Sequence, residues 1–267
     1  MLNCGTSAKF KMTWVILFFV SLLGSALTLY SGFGLGTLML PVFSLFFPLP
    51  IAVAMTAVVH LLNNFLKLGL FFKHTHWQTV LYFGTCSIIG ALVGAFILNS
   101  AQQTTLTITY TFLNHTFSTT PVKIIIGCLM QLFAIYELWP GNGLVFKGNH
   151  LLLGGTVSGF FGGLSGHQGA LRSAFLINLQ LPKEVYIGTG VTIACLVDLT
   201  RIPFYLYSNS LLLDQINLTF ILIAVIGAFT GVLIGNKFMK KVTIKSIHLL
   251  VGGLLLVYGI LLTSGII

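Results

Sequence analysis

Charge is what this sequence has least of. Its 267 residues include only 13 Lys and Arg and 4 Asp and Glu, whereas about 25% of an ordinary globular domain is charged. Hydrophobic residues make up 56% of the chain, and the mean hydropathy is +1.01. Because no long stretch has the polarity of a water-facing surface, the composition excludes a soluble protein and a soluble domain on a single membrane anchor. It predicts an all-α, polytopic membrane protein with about eight to ten membrane elements.

Catalytic and nucleotide-binding motifs are lacking too. The sequence contains no G-x-S-x-G, no H-E-x-x-H and no Walker motif, which argues against an enzyme and against an ATP-driven pump. His74 and His76 have no carboxylate or thiol near them in the sequence and would make a poor metal site. Of the few acids, Glu137 and Glu184 lie at the ends of predicted elements and are expected to be solvated. We therefore expect no catalysis, no cofactor and no bound metal.

The formal charge of +9 is spread over short segments between apolar runs. In a membrane protein such residues set the orientation of the chain, so we expect the lipid bilayer, and not nucleic acid, as the partner. The apolar run after Lys9 and Lys11 superficially resembles a secretory signal peptide but has no clear small-x-small cleavage site. We interpret it as the first retained membrane element, because a counterpart recurs in the second half of the chain.

The chain contains an internal repeat, which a shift of 133 residues brings into an ungapped register. The most informative identical pairs are Gly36 and Gly169, Thr56 and Thr189, and 94–96 and 227–229. We predict a single transporter domain over 1–267, with repeat 1 over about 12–139 and repeat 2 over about 150–264.

Apolar runs predict five membrane elements in each half. They are 12–30, 34–48, 51–71, 77–99 and 121–139 in the first half, and 150–166, 167–181, 184–207, 216–236 and 246–264 in the second. The second element of each half is short for a span and follows glycine-rich sequence, which is typical of a half-helix or a re-entrant segment. Segment 100–120, rich in Thr, Gln and Asn, is expected to be the only long loop.

The lysines predict that the two halves have opposite orientations. If the first two elements of a half return the chain to its starting side, each half makes an odd number of crossings. With the N-terminus outside, the cytoplasmic set is Lys67, Lys73, Lys147, Lys183, Lys237, Lys240, Lys241 and Lys245, against Lys9, Lys11 and Lys123 outside. This distribution follows the positive-inside rule. Inverted repeats with broken helices are a recurrent plan of secondary transporters.

Glycine clusters precede both short elements. The first spans 32–36 and the second spans 162–169, shortly after Gly159. Glycine lets the backbone approach a ligand, and the half-helix that follows presents free N–H groups and the positive end of its dipole to an anion. We predict that the two ends face each other and form a substrate site, with Gly34, Gly36, Gly166, Gln168 and Gly169. The alternative is close helix packing, which we prefer for glycines 90, 94, 227, 231 and 235.

Arg172 falls about one turn into the second short element. A guanidinium inside the membrane is costly unless it faces protein or water, and its planar fork suits an oxyanion. We assign Arg172 and the neighbouring Ser173 to the substrate site, with Ser165 and His167 as further candidate donors. The alternative is a structural arginine that binds helix-end carbonyls.

The third element of each half carries polar residues at helical spacing. His60, Asn63 and Asn64 share one face of the first, and we include them among the substrate-binding candidates; a helix–helix hydrogen-bond cluster is the alternative. In the second, Asp198 and Arg201 stand at i and i+3 and predict an ion pair just before Pro203. The pair is a candidate for gating or coupling, unless it only neutralises itself.

These motifs carry a family resemblance. The paired glycine clusters, the Leu-Pro-x-x-x-x-x-Gly-Thr run at 181–189 and the glycine-rich fourth elements resemble the TauE/SafE family of membrane permeases, often called sulfite exporters. The resemblance covers nearly the whole chain. It implies a permease for a small anion, typically sulfite or an organosulfonate, in the inner (plasma) membrane. A non-transporting assembly or scaffold protein is the alternative, although the short loops offer it little docking surface.

Overall fold

The computed structural model describes residues 4–31, 34–103, 106–138, 150–208, 216–238 and 244–267. The helices of the first half are α1 (Cys4–Ser31), α2 (Gly36–Ser44), α3 (Leu49–Phe71), the one-turn α4 (Trp77–Thr79), α5 (Thr85–Gln102) and α6 (Pro121–Leu138). Those of the second half are α7 (Leu151–Ser165), α8 (Gln168–Leu176), α9 (Lys183–Ser208), α10 (Leu218–Phe238) and α11 (Ile244–Thr263). A π-helical turn, Val80–Gly84, joins α4 to α5. Each predicted element has a helical counterpart, which confirms the all-α fold class.

Within the described residues, six helical stretches are long and apolar enough to cross a membrane. They are Met12–Leu29, Leu49–His74, Trp77–Gln102, Pro121–Leu138, Lys183–Tyr207 and Leu218–Gly235. Large apolar side chains cover their outer faces; Phe96, Leu222 and Val257 are each about 60% exposed. Such a surface suits hydrocarbon and not water. The protein is therefore an integral membrane protein.

The two short helices are half-helices, as expected. α2 and α8 have nine residues each, which at a rise of 1.5 Å per residue gives about 14 Å. The hydrocarbon core of a bilayer is about 30 Å thick. Neither helix can span it, and each begins at a buried residue, Gly36 or Gln168, and ends next to an exposed one, Leu45 or Ile177.

The third elements of the two halves, α3 and α9, pack against each other at the centre and run antiparallel. Near the end of α3, the carbonyl of Phe71 lies 2.6 Å from the position that a Cβ on Gly188 would occupy, close to the start of α9. About 16 Å back along α3 from Phe71, His60 contacts Asp198 of α9. The two helices therefore run in opposite directions.

The outer helices pair across the halves in a reciprocal pattern. The first element of each half packs on the fourth element of the other half, so that α1 lies parallel to α10 and α7 lies parallel to α5. In the α1–α10 pair, Gly227 lies against Phe18 and Gly231 lies against Leu22, which fixes the parallel direction. The fifth elements, α6 and α11, pack on each other.

Small residues permit these close approaches. A Cβ added to Gly90 or Gly94 of α5 would collide with the backbone of α7, and one added to Gly227, Gly231 or Gly235 would collide with α1. The packing role predicted for these five glycines is confirmed. Gly159, just before the second glycine cluster, and Gly163, within it, lie in the same way against the α5 backbone. The functional interpretation of the cluster is therefore wrong for Gly163, which serves helix packing.

Replacing Gly94 with alanine is expected to destabilise the protein by about 1–3 kcal/mol, because the new methyl group must push the α5 and α7 backbones apart. Gly253 of α11 is the matched control, since nothing lies within 4 Å of a Cβ placed there. Gly253→Ala should leave stability unchanged or slightly raised, through helix propensity alone. Thermal unfolding in one detergent compares the two variants. Equal midpoints would contradict the packing role of Gly94.

The expected loop at 100–120 is partly wrong, because it contains a β-hairpin. Strands β1 (Ile108–Phe112) and β2 (His115–Thr119) pair antiparallel. Their β-branched and aromatic residues favour strands, and the two turn residues Leu113 and Asn114 adopt positive φ, as type I′ hairpins require. The Tyr110 hydroxyl donates to the carbonyl of Ser264 at 2.5 Å and ties the hairpin to the C-terminal end of α11.

Candidate functional site

The two helix breaks meet at the centre of the protein. α7 ends at Gly166, whose φ of +81° is left-handed and whose N–H donates to the carbonyl of Gly162 at 2.9 Å. The chain then passes His167 and begins α8. A Cβ on Gly36, the first residue of α2, would lie 3.5 Å from the carbonyl oxygen of Gly166. The starts of both half-helices thus lie close together, which the glycine clusters predict.

The first break is also in contact with α3. A Cβ on Gly34 would lie 2.6 Å from Nε2 of His60, a distance that no real side chain could accept without a shift of the imidazole. Glycine at position 34 therefore leaves the room that His60 occupies. Gly32 and Phe33, also part of the predicted cluster, lie outside the described residues.

A buried polar network lies beside the breaks, with the carboxylate of Asp198 at its centre. Oδ2 of Asp198 lies 2.6 Å from Nδ1 of His60, and Oδ1 accepts from Nε of Arg201 at 2.9 Å. Gln168, the first residue of α8, donates to Oδ1 at 3.3 Å. Arg201 also donates to the carbonyl of Gly162 at 2.9 Å. The predicted Asp198–Arg201 ion pair is present, and it connects α3, α7, α8 and α9.

The predicted polar stripe on α3 faces the protein interior, but its members have different partners. The carbonyl oxygen of the Asn63 side chain accepts from the Ser25 hydroxyl of α1 at 2.8 Å, which is the helix–helix hydrogen bond of the alternative interpretation. Nδ1 of His60 faces the carboxylate of Asp198, so Nδ2 of Asn64, 3.3 Å from Nε2 of the same ring, can donate to that nitrogen and extend the network. All three stripe residues are buried.

Arg172 and Ser173 lie in a cleft that is distinct from the helix breaks. The cleft is lined by residues of α1, α3, α8 and α9. Lys67, one turn beyond Asn64 on α3, contributes a second cation. Tyr186 lines the cleft as well and is a hydrogen-bond partner of Ser173. Asn64 belongs both to the cleft lining and to the central network, and so connects them.

A second, smaller cleft lies at the opposite end of the α3–α9 pair. Its lining includes Val53, Asn99, Gln102 and Tyr205. Tyr205 donates to the carbonyl of Gly163. The His60–Asp198–Arg201 network therefore separates a cationic cleft at one end from a cleft lined by neutral residues at the other.

The other candidate donors lie in two places. Nδ1 of His167 lies 3.1 Å from the Ser165 hydroxyl, and its ring stacks on Phe133 of α6 at 5.6 Å between centroids. These two donors thus face α6 and not the cationic cleft. Gly169 is buried in the first turn of α8, beside Gln168.

Sequence reasoning places neither Lys67 nor Tyr186 in the substrate site, and it misjudges one acid. Lys67 was assigned only to the cytoplasmic charge set, yet it continues the His60–Asn64 stripe by one turn and is 3% exposed. Glu137 is not solvated, as was expected, but 1% exposed, with Oε2 2.6 Å from Nδ1 of His248. Its position near the end of α6 suggested solvent, whereas α11 covers that end. Glu184 is exposed, as expected, and Asp214 lies outside the described residues.

Within the described residues, six apolar helices long enough to cross a membrane, two half-helices and a buried cationic cleft define a polytopic membrane protein. Comparison with known families agrees, since the family model described as sulfite exporter TauE/SafE matches residues 17–262. The chain belongs to the TauE/SafE sulfite exporter family. No curated protein and no solved structure matches it.

Proposed function

We propose that this protein is a secondary transporter that moves a small anion, sulfite or an organosulfonate, across the plasma membrane. The observation that carries the proposal is the cleft at Arg172, whose lining contains two buried cations and no carboxylate. Positive charge in a low-dielectric cleft attracts anions. The guanidinium of Arg172 offers a planar fork to a sulfur oxyanion, and the hydroxyls of Ser173 and Tyr186 offer further donors.

The central network is proposed to be the gate. It separates the two clefts, and Arg201 is the cation that faces both the Asp198 carboxylate and the carbonyl of Gly162. An anion that leaves the cleft past Asn64 would compete with Asp198 for Arg201. Transfer of the guanidinium from the carboxylate to the anion would break the ion pair and open the passage. The start of α8 adds a positive dipole end beside this route.

Inverted halves would let the substrate site open to one side of the membrane and then to the other. Support comes from the antiparallel arrangement of α3 and α9, and from the reciprocal pairing of first and fourth elements. Inverted repeats of this kind would be related by a two-fold axis in the membrane plane. If the N-terminus is outside, the cationic cleft lies toward the cytoplasm, where an exporter collects its substrate.

Uptake of radiolabelled sulfite into proteoliposomes tests the proposal. We expect saturable uptake that requires the protein and that an unlabelled organosulfonate inhibits, because both anions carry the sulfur oxyanion group that Arg172 would bind. A quaternary ammonium salt is the control competitor and should have no effect. Absence of sulfite and organosulfonate uptake by protein that is folded and inserted would contradict the proposal and favour the scaffold alternative.

A further inference from the structure

The lysine of the cationic cleft adds positive charge to it, but no group of the anion is assigned to this lysine in the proposed transport scheme. Lys67 is 3% exposed and lies near the end of α3. No ion pair of Lys67 is found within the described residues. Removing an ammonium group from water without a counter-charge is costly. A buried ammonium group lowers the stability of the folded protein, and an anion bound in the cleft would offset that loss.

The acidic residues of the chain are placed elsewhere. Asp198 is held by His60 and Arg201, and Glu137 is held by His248. Glu184 is exposed at the start of α9 and does not line the cleft. The fourth acid, Asp214, lies outside the described residues. The cleft as described therefore holds two formal positive charges from Lys67 and Arg172, with no acid in its lining.

We infer that Lys67 and Arg172 together make the cleft selective for doubly charged anions. A dianion can place one negative charge against each of the two cations, whereas a monoanion can place its charge against only one of them. The guanidinium fork of Arg172 suits a sulfonate or sulfite group, and the ammonium of Lys67 suits a second charge on the same ligand. This inference rests on the proposed function, since it names the substrate class of the same cleft.

The experiment compares two ligands that share a sulfonate group and differ in charge. Sulfoacetate carries a sulfonate and a carboxylate, and methanesulfonate carries the sulfonate alone. Uptake of each labelled anion into proteoliposomes is measured at about pH 6, where the sulfonate and carboxylate groups are ionised, for wild-type protein and for Lys67→Gln. We expect the wild type to prefer sulfoacetate. In Lys67→Gln the ratio of sulfoacetate to methanesulfonate uptake should fall about tenfold, the size of one close charge interaction of about 1.4 kcal/mol.

Lys73→Gln is the matched control, because it removes the same charge from an exposed position six residues further along the chain. It should keep the wild-type ratio, since solvent screens an exposed charge. Lys67→Arg retains the positive charge and should also keep the preference for sulfoacetate. If Lys67→Gln fails to fold, Lys67→Arg is the variant that tests the inference. Loss of the preference for sulfoacetate in a folded Lys67→Arg protein would overturn it.

The outcomes separate the inference from the proposed function. Wild-type uptake of neither anion would overturn the proposed function. If folded Lys67→Gln takes up both anions in the wild-type ratio, the inferred charge selectivity is wrong. The proposed anion transport would not be affected by that result. An equal loss of both anions in that variant would likewise overturn the selectivity, because Lys67 would then act on the sulfonate itself.

Discussion

Arg172→Ala is expected to lower the initial rate of sulfite uptake by about a hundredfold or more. Arg172 lines the cleft and is 5% exposed, so its charge acts on a bound anion with little screening by water. Truncating one partner of a buried, hydrogen-bonded charge pair costs about 2–5 kcal/mol. The measurement is radiolabelled sulfite uptake into proteoliposomes that contain equal amounts of monodisperse protein.

Arg172→Lys separates the effect of the paired N–H donors of the guanidinium from the effect of its positive charge. It keeps one positive charge but loses the two parallel N–H donors, so uptake should fall by less than in the alanine variant. Lys73→Ala, at an exposed site, should transport like the wild type. Wild-type flux in a well-folded Arg172→Ala protein would remove Arg172 from the substrate site.

The second large effect is expected at the central carboxylate. Asp198→Ala should lower the stability of the folded protein by about 3–5 kcal/mol, because Arg201 is fully buried and would lose its counter-charge. His60 would lose its partner at 2.6 Å in the same change. Thermal unfolding in detergent measures the effect. Glu184→Ala, which removes an exposed carboxylate, is the control and should change the midpoint little.

A double variant tests whether the loss at Asp198 arises from the stranded guanidinium. Asp198→Ala combined with Arg201→Met removes both charges and fills part of the space of the arginine. Replacing a buried ion pair by apolar side chains is often neutral, so the double variant should recover much of the lost stability. An Asp198→Ala protein that is as stable as the wild type would show that the network contributes little to the fold.

Much of the fold was predictable because membrane elements leave strong local signals. The apolar runs and the glycine clusters placed the helix breaks within a few residues of the observed ends of α2, α7 and α8. The hairpin after α5 was not predicted, because its turn at Leu113 and Asn114 lacks the glycine that usually marks a two-residue hairpin. Nothing in the sequence signals that leucine adopts positive φ.

The parts of the candidate site that depend only on the geometry of a single helix were predictable. The three-residue spacing predicted the Asp198–Arg201 pair, and the same periodicity placed His60 and Asn64 on an interior face. The contact between His60 and Asp198 joins residues 138 positions apart, so it depends on how α3 packs against α9. For the same reason the sequence could not separate the cleft at Arg172 from the helix breaks, although both are on or next to α8.

Lys67 shows a different limit of sequence reasoning. A lysine near the end of an apolar helix ordinarily reaches the interface, and the positive-inside rule counts it there. Here α8 and α9 cover that end of α3 and form the cleft around the side chain. Glu137 was misjudged in a similar way, since α11 packs over it. In both cases a neighbouring helix that is distant in the sequence determines the burial.

Counterflow is the measurement that tests the central claim most directly. Proteoliposomes loaded with unlabelled sulfite are diluted into labelled sulfite at low concentration. A carrier that alternates between two cleft-open states predicts a transient accumulation of label above its equilibrium level, which Arg172→Ala should abolish. Folded, inserted wild-type protein that shows no such accumulation, or only equilibration of the label as through a pore, would contradict the account.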